Sequence, residues 1–227
     1  MTNVRRAIQA YVGTGVGEHH RYRSWEHCYS YFRRSRHGVG TDRDHAALQL
    51  GFYLASWGMY RGSSFLLQHT STVHRGVIDV VADPRFDELW ETDLGASPED
   101  VRFVPLVLEL VADVAQAYAP FVGTSSGQPT DTLISKIVLG TFGCLPACDR
   151  YFIDGFKSQG LPFSGLNAKF VERVITFCQD HLPDLRAEQD EISKRSGIRY
   201  PLMKLVDMYF WQIGFEADSI PTPTLQP

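Results

Sequence analysis

DTLISKIVLGTFGCLPACDRYFIDGFK, residues 131–157, is the stretch that decides the fold. Leu133, Ile134, Ile137, Val138, Thr141 and Phe142 recur at three- and four-residue spacings, so one broad face of a helix opening near Thr130 or Asp131 must be buried. Gly143 reads as its end. Pro146, with a fixed φ and no N–H, suits the first turn of a second helix that carries Asp149, Tyr151 and Phe152. An acid therefore falls near a helix start, at the mouth of an apolar layer. In that position a carboxylate ordinarily answers the helix dipole or pairs with a neighbour such as Arg150 or Arg173.

Outward from this stretch the chain keeps the same character. Its 227 residues are 44% hydrophobic and 12% aromatic, enough to bury a substantial core. No alternating strand pattern and no internal repeat is evident. We therefore expect an all-α, compact multi-helix domain over 1–216, built as one body or as two helical lobes, followed by a disordered Pro-rich tail at 217–227. No apolar run approaches the roughly eighteen residues of a membrane span, and residues 1–10 lack a signal-peptide core, so a cytoplasmic location and no membrane partner are expected. Cys28, Cys144, Cys148 and Cys178 form no CxxC pair and sit in apolar helical patterns, as reduced, buried thiols do; metal ligation by Cys144 and Cys148 is the less favoured reading. No metal or other cofactor is expected.

Charge is unevenly spread. Residues 1–43 hold eight arginines against Glu18, Glu26 and Asp42, a net of +5 in a chain whose total is −4. Arginines interleaved with Tyr11, Tyr22, Trp25 and Tyr29 suit phosphate and base contacts, and they equally suit ion pairs with the acidic remainder. A pI near 6.0 argues against tight, sequence-indifferent duplex binding. Ser24 reads as the N-cap of a helix reaching about Arg36. From Asp44 a long helix, apolar nearly all round, is expected, leading to Trp57, Tyr60, Arg61 and Ser63, which bring stacking surface, charge and hydroxyl donors to one wall of an anion or nucleobase pocket. Ser97-Pro98-Glu99-Asp100 is a helix start, and Gly13-Thr14-Gly15-Val16-Gly17, with no strand before it, reads as a linker.

The apolar helix, the glycine-containing turn and Pro146-Ala147-Cys148-Asp149-Arg150-Tyr151-Phe152 together resemble the aspartate-bearing region of helix-hairpin-helix DNA glycosylases. Met203 to Gly214 resembles the closing helix of bacterial 8-oxoguanine-glycosylase-like proteins. The two segments cover about a fifth of the chain. The resemblance implies a helix-hairpin-helix glycosylase-like fold and a catalytic role for Asp149. The family's hairpin, roughly Leu-Pro-Gly-Val-Gly, is replaced by Ser126-Gly127-Gln128-Pro129-Thr130-Asp131, so unpaired or modified nucleic acid, or a nucleotide, is the expected partner rather than intact duplex. The family's Schiff-base lysine stands farther upstream of the aspartate than Lys136 does, so Lys136 is expected on a different helical face from that lysine, and a lyase activity is not expected.

Cleaving an N-glycosidic bond develops positive charge on the sugar, so a carboxylate below the ring is the group that chemistry needs, and Asp149 is the candidate. Trp25, His27, Trp57, Tyr60, Arg61 and Ser63 are the candidate substrate-binding residues, and Arg21 and Arg23 the candidate phosphate-binding pair. Two alternatives stand beside this: a non-catalytic module binding nucleic acid or protein, and a ribonuclease using Arg21 and His27, whose spacing resembles that of HEPN-type enzymes.

Overall fold

Short polar side chains set the helix starts. Asn3, Asp42, Thr130, Asp149 and Asn167 each accept a hydrogen bond from a backbone N–H of the helix they precede, and Ser97 with Asp100 closes a full capping box. The computed structural model describes residues 3–15, 17, 19–122 and 129–219. These form α1 (Val4–Thr14), α2 (Arg23–Ser35), α3 (Arg43–Ser56), α4 (Arg75–Val81), α5 (Asp87–Glu91), α6 (Val104–Ala117), α7 (Asp131–Gly140), α8 (Arg150–Ser158), α9 (Ala168–Asp180), α10 (Leu182–Ser196) and α11 (Leu202–Ser219), with short 3-10 turns between several of them. No strand occurs among the described residues.

Two helices are buried almost throughout: α7 from Leu133 to Gly140 and α11 from Leu202 to Gly214. α2, α3 and α6 surround α7, while α1, α8, α9 and α10 surround α11, and one continuous apolar core runs through both groups. The expected all-α, compact domain is present. No helix among the described residues is long and apolar enough to cross a membrane.

Several local expectations are corrected. α2 begins one residue before Ser24, whose hydroxyl is buried and caps nothing. The long helix from Asp44 stops at Ser56, turned by Gly58 at φ +74°, and its outer face carries Phe52 at 66% exposure. Pro146 lies in an extended, buried segment, so the second helix starts at Arg150 with Asp149 as its N-cap. α11 runs on to Ser219, through the first residues of the expected tail; 220–227, like Val16 and residues 126–128 of the degraded hairpin, lie outside the described residues.

α8 crosses α11 at backbone contact. A Cβ at Gly155 would overlap the Phe210 carbonyl, and one at Gly214 would overlap the Tyr151 carbonyl, both far inside van der Waals distance. Phe152 and Phe156 then pack on Phe210 at ring-centroid distances of 5.5 and 4.9 Å. On an exposed helix Gly→Ala would add stability, since alanine loses less entropy on folding. Here the sign reverses: Gly155→Ala and Gly214→Ala should each lower stability by at least about 3 kcal/mol, read as a fall in urea midpoint, because backbone rather than a side chain must move.

A second constraint is polar. His74 is fully buried between two tyrosines, Nδ1 at 2.6 Å from Tyr118 Oη and Nε2 at 2.6 Å from Tyr60 Oη. A neutral ring fits this setting, one nitrogen donating and the other accepting. Burial lowers His74 from the ordinary 6.5 to about 4. The unfolded chain therefore binds the extra proton between those values and the folded chain does not, so stability is lost as pH falls through that window, by about 3 kcal/mol in all. His74→Gln should flatten the unfolding free energy between pH 6.5 and 4, measured by urea titration at each pH.

Candidate functional site

Thr141 and Gly143 still donate their N–H groups to the end of α7, but the buried segment from Cys144 to Cys148 lies outside any helix, so side chains satisfy part of its backbone. Ser135 Oγ accepts from Cys148 N–H at 2.8 Å, Thr132 Oγ1 donates to the Cys148 carbonyl at 2.8 Å, and Asp207 Oδ1 accepts from Ala147 N–H at 3.1 Å. Gly143, at φ +72°, packs so tightly on Pro201 and Tyr29 that a Cβ would meet them at 2.7 and 2.8 Å. The loop is thereby held from both central helices, and it delivers Asp149 to the start of α8.

Asp149 Oδ1 accepts from Phe152 N–H at 3.2 Å, the N-cap bond, and Oδ2 accepts from Lys136 Nζ at 2.9 Å. The Lys136 side chain is 3% exposed and that of Asp149 19%. Lys136, set aside in the sequence for its spacing, is the partner of Asp149, because the loop folds Asp149 back over the flank of α7 that bears the lysine. Arg150 pairs instead with Asp218, and Arg173 donates to the Pro162 carbonyl. One turn deeper a second pair repeats the pattern, Lys204 Nζ donating to Asp207 Oδ2 at 2.7 Å with both side chains almost fully buried. Burial raises the Asp207 carboxyl above its ordinary value, against the Lys204 ammonium, which lowers it.

Aromatic rings enclose these charges. Tyr11, Tyr22 and Trp57 form a stack with centroids 5.2 and 5.1 Å apart, tilted by 14° and 12°. Lys136 Nζ stands 4.9 Å from the Trp57 ring centre and Lys204 Nζ 5.8 Å from it. Arg21 extends over Tyr22 and Trp57 at 5.5 and 5.9 Å. The result is a cleft of about 690 Å³, in which Lys136 and Asp149 are flanked by Arg21, Arg61, Tyr151 and Trp211. Arg21 and Arg61 have no carboxylate partner among the described residues, so the cleft carries an excess of positive charge suited to an anion.

Of the residues singled out in the sequence, Asp149, Arg21, Trp57 and Arg61 meet in this cleft. Ser63 lies with Arg61 in an adjoining hollow of about 280 Å³. Trp25 is in the core, 1% exposed, with Nε1 donating to the Leu139 carbonyl at 3.0 Å. Arg23 pairs with Glu26 at 3.1 Å, Tyr60 is engaged by His74, and His27 is exposed on α2 away from the cleft lining. Trp211, Lys204 and Asp207 were not singled out, Tyr22 was noted only among the aromatics interleaved with the arginines, and Lys136 was set aside. A lysine within an otherwise apolar helix is the sequence signal that would have found Lys136 and Lys204, since such a charge stays buried only beside a partner. All four cysteines are free and buried, with burial raising Cys144 to about 12.

Three of the eight arginines in the basic segment pair with the acidic remainder: Arg5 with Glu188 at 2.8 Å, Arg36 with Glu91 and Arg43 with Asp79. Compared with protein-family models, curated proteins and solved structures, the chain matches none.

Removing one member of a buried pair strands the other. Asp207→Asn should cost about 3 kcal/mol or more by leaving the Lys204 ammonium unpaired, whereas Lys204→Met/Asp207→Asn should recover much of that loss in a double-mutant denaturation cycle.

Proposed function

We propose that the chain cleaves an N-glycosidic bond, in a nucleotide or in unpaired or modified nucleic acid, at the Lys136–Asp149 pair. The observation that carries this reading is the 2.9 Å contact between a buried lysine and an N-cap aspartate on the wall of a cationic, aromatic cleft. In this reading α7, the buried turn and α8 act as the helix, turn and aspartate-bearing helix of a glycosylase-like fold. The Asp149 carboxylate, held in one orientation by Phe152 N–H and Lys136 Nζ, faces the positive charge that develops on the sugar as the base departs. Arg21 and Arg61 hold the substrate phosphate. Trp57, already stacked on Tyr22, closes the site beside Lys136.

The same contact gives Lys136 a role of its own. Transfer of its proton to Asp149 would free the amine to attack C1′ as the base leaves with the bonding pair and takes that proton back from Asp149. The resulting protonated N-glycosylamine would open to a protonated imine as its nitrogen gives a proton to the ring oxygen. The binding-only reading is favoured by one feature, that both Asp149 oxygens already have donors.

Mass-spectrometric detection of free base, after incubation with nucleotides, single-stranded DNA and RNA, tests all of this. Wild type should release base, and Asp149→Asn should lower the rate by about a hundredfold or more. Borohydride should trap a covalent adduct on wild type and none on Lys136→Gln if the amine attacks, and none on either if water does. No base released from any substrate, together with salt-sensitive retention on single strands, would leave the binding-only reading standing.

A further inference from the structure

We propose that a second cleft, sharing no lining residue with the first, binds a phosphate monoester through Arg34 and Arg199. This cleft encloses about 400 Å³, a volume in the range of small-ligand sites. Its walls are the last turns of α2, with Arg33 and Arg34, the segment around Trp90, and the 197–201 turn between α10 and α11, with Arg199. Its floor is apolar: Tyr29, Trp90 and Phe142 are 6%, 3% and 3% exposed, and Phe142 lies against Trp90 at a centroid distance of 4.1 Å.

The charges around it are unevenly committed. Arg33 is used, donating to the Trp90 carbonyl. Arg34 has no partner among the described residues, and Arg199 lies 3.7 Å from Asp190 and 4.0 Å from Asp93, outside hydrogen-bonding reach of either. The two acids on the walls are turned to other work. Asp93 accepts from Arg186 at 2.6 Å, Gln189 at 3.0 Å and Leu202 N–H at 2.8 Å, and Glu91 pairs with Arg36. Two guanidinium groups thus line one concavity from separate elements, over an apolar floor of low dielectric that concentrates their field. A dianionic phosphate with several acceptor oxygens satisfies both forks at once, which a single carboxylate does less well. The walls are also pre-formed, because Gly143 packs directly on Tyr29 and Pro201 and leaves the floor no room to collapse. The phosphate can be that of a free nucleotide or the terminal phosphate of a strand.

Isothermal titration calorimetry on the full chain decides it. Adenosine 5′-monophosphate should bind wild type and adenosine should not. Arg34→Ala/Arg199→Ala, which removes two exposed side chains with no part in the core, should weaken binding by about tenfold or more. Because the first cleft is itself read as holding a nucleotide phosphate, the Arg21→Ala/Arg61→Ala chain is the background for these comparisons: adenosine 5′-monophosphate should still bind it, and adding Arg34→Ala/Arg199→Ala should weaken that remaining binding. A single strand bearing a 5′-phosphate that binds more tightly than the mononucleotide, and more tightly than its 5′-hydroxyl counterpart, assigns the phosphate to a strand end; otherwise it belongs to a free nucleotide. In the Arg21→Ala/Arg61→Ala background, absence of binding by any phosphate-bearing probe, or binding that survives the added Arg34→Ala/Arg199→Ala, overturns the proposal.

Discussion

The structure depends on the place where two helices touch with no side chain between them. Gly155 of α8 and Gly214 of α11 bring those backbones closer than any other residue would allow. α11 also carries Lys204 and Asp207, and α8 begins at Asp149, so this contact sets the separation of the two charged pairs. It acts as a ruler for the candidate site. Phe152, Phe156 and Phe210 fill the volume on either side, and their packing converts the close approach into stability.

Burying four charges near one another is costly unless each has its partner, and the fold meets this condition in two ways. Lys136 and Lys204 each lie against one carboxylate, and both rest near the rings of Trp57 and its neighbours. The second carboxylate has a further task. Asp207 accepts from the Ala147 N–H, so the inner pair secures the loop that delivers the acid of the outer pair. Chemistry and architecture are coupled here through a single hydrogen bond. A loop buried in this way would otherwise leave backbone donors unsatisfied, and Ser135 and Thr132 on α7 complete the set.

The surface charge follows the same economy. The arginine-rich beginning of the chain does not form one continuous basic face, because several of its guanidinium groups are matched to acids from α4, α5 and α10. Of those left without a carboxylate, Arg21 stands with Arg61 at the cleft beside Asp149, and Arg34 stands at the other, where Arg199 is only loosely paired, 3.7 Å from Asp190 and 4.0 Å from Asp93. Free positive charge is thereby concentrated where an anion has walls to bind against.

Much of the helical scheme was legible in the residues. Thr130, Ser97 and Asn167 announce helix starts, and the spacing from Leu133 to Val138 predicts a buried α7, because capping and periodicity act over one or two turns. Asp149 at a helix start was legible for the same reason. The path from Thr141 to Cys148 was not: Pro146 suggests a helical first turn, but the loop's backbone bonds come from Ser135 and Asp207, the latter sixty residues away. The pairing of Lys136 with Asp149 was not legible either, because helical spacing fixes a residue's phase only about its own axis, while the loop decides what folds back onto it. Trp25 shows the converse, since its composition suits a base-binding wall and the packing of α2 on α7 sends it into the core. The sequence by itself thus determined which segments are helices, where they begin and which faces seek burial. Tertiary structure alone decided which charges meet, because that depends on a helix crossing governed by two glycines and on long-range hydrogen bonds that no local pattern encodes.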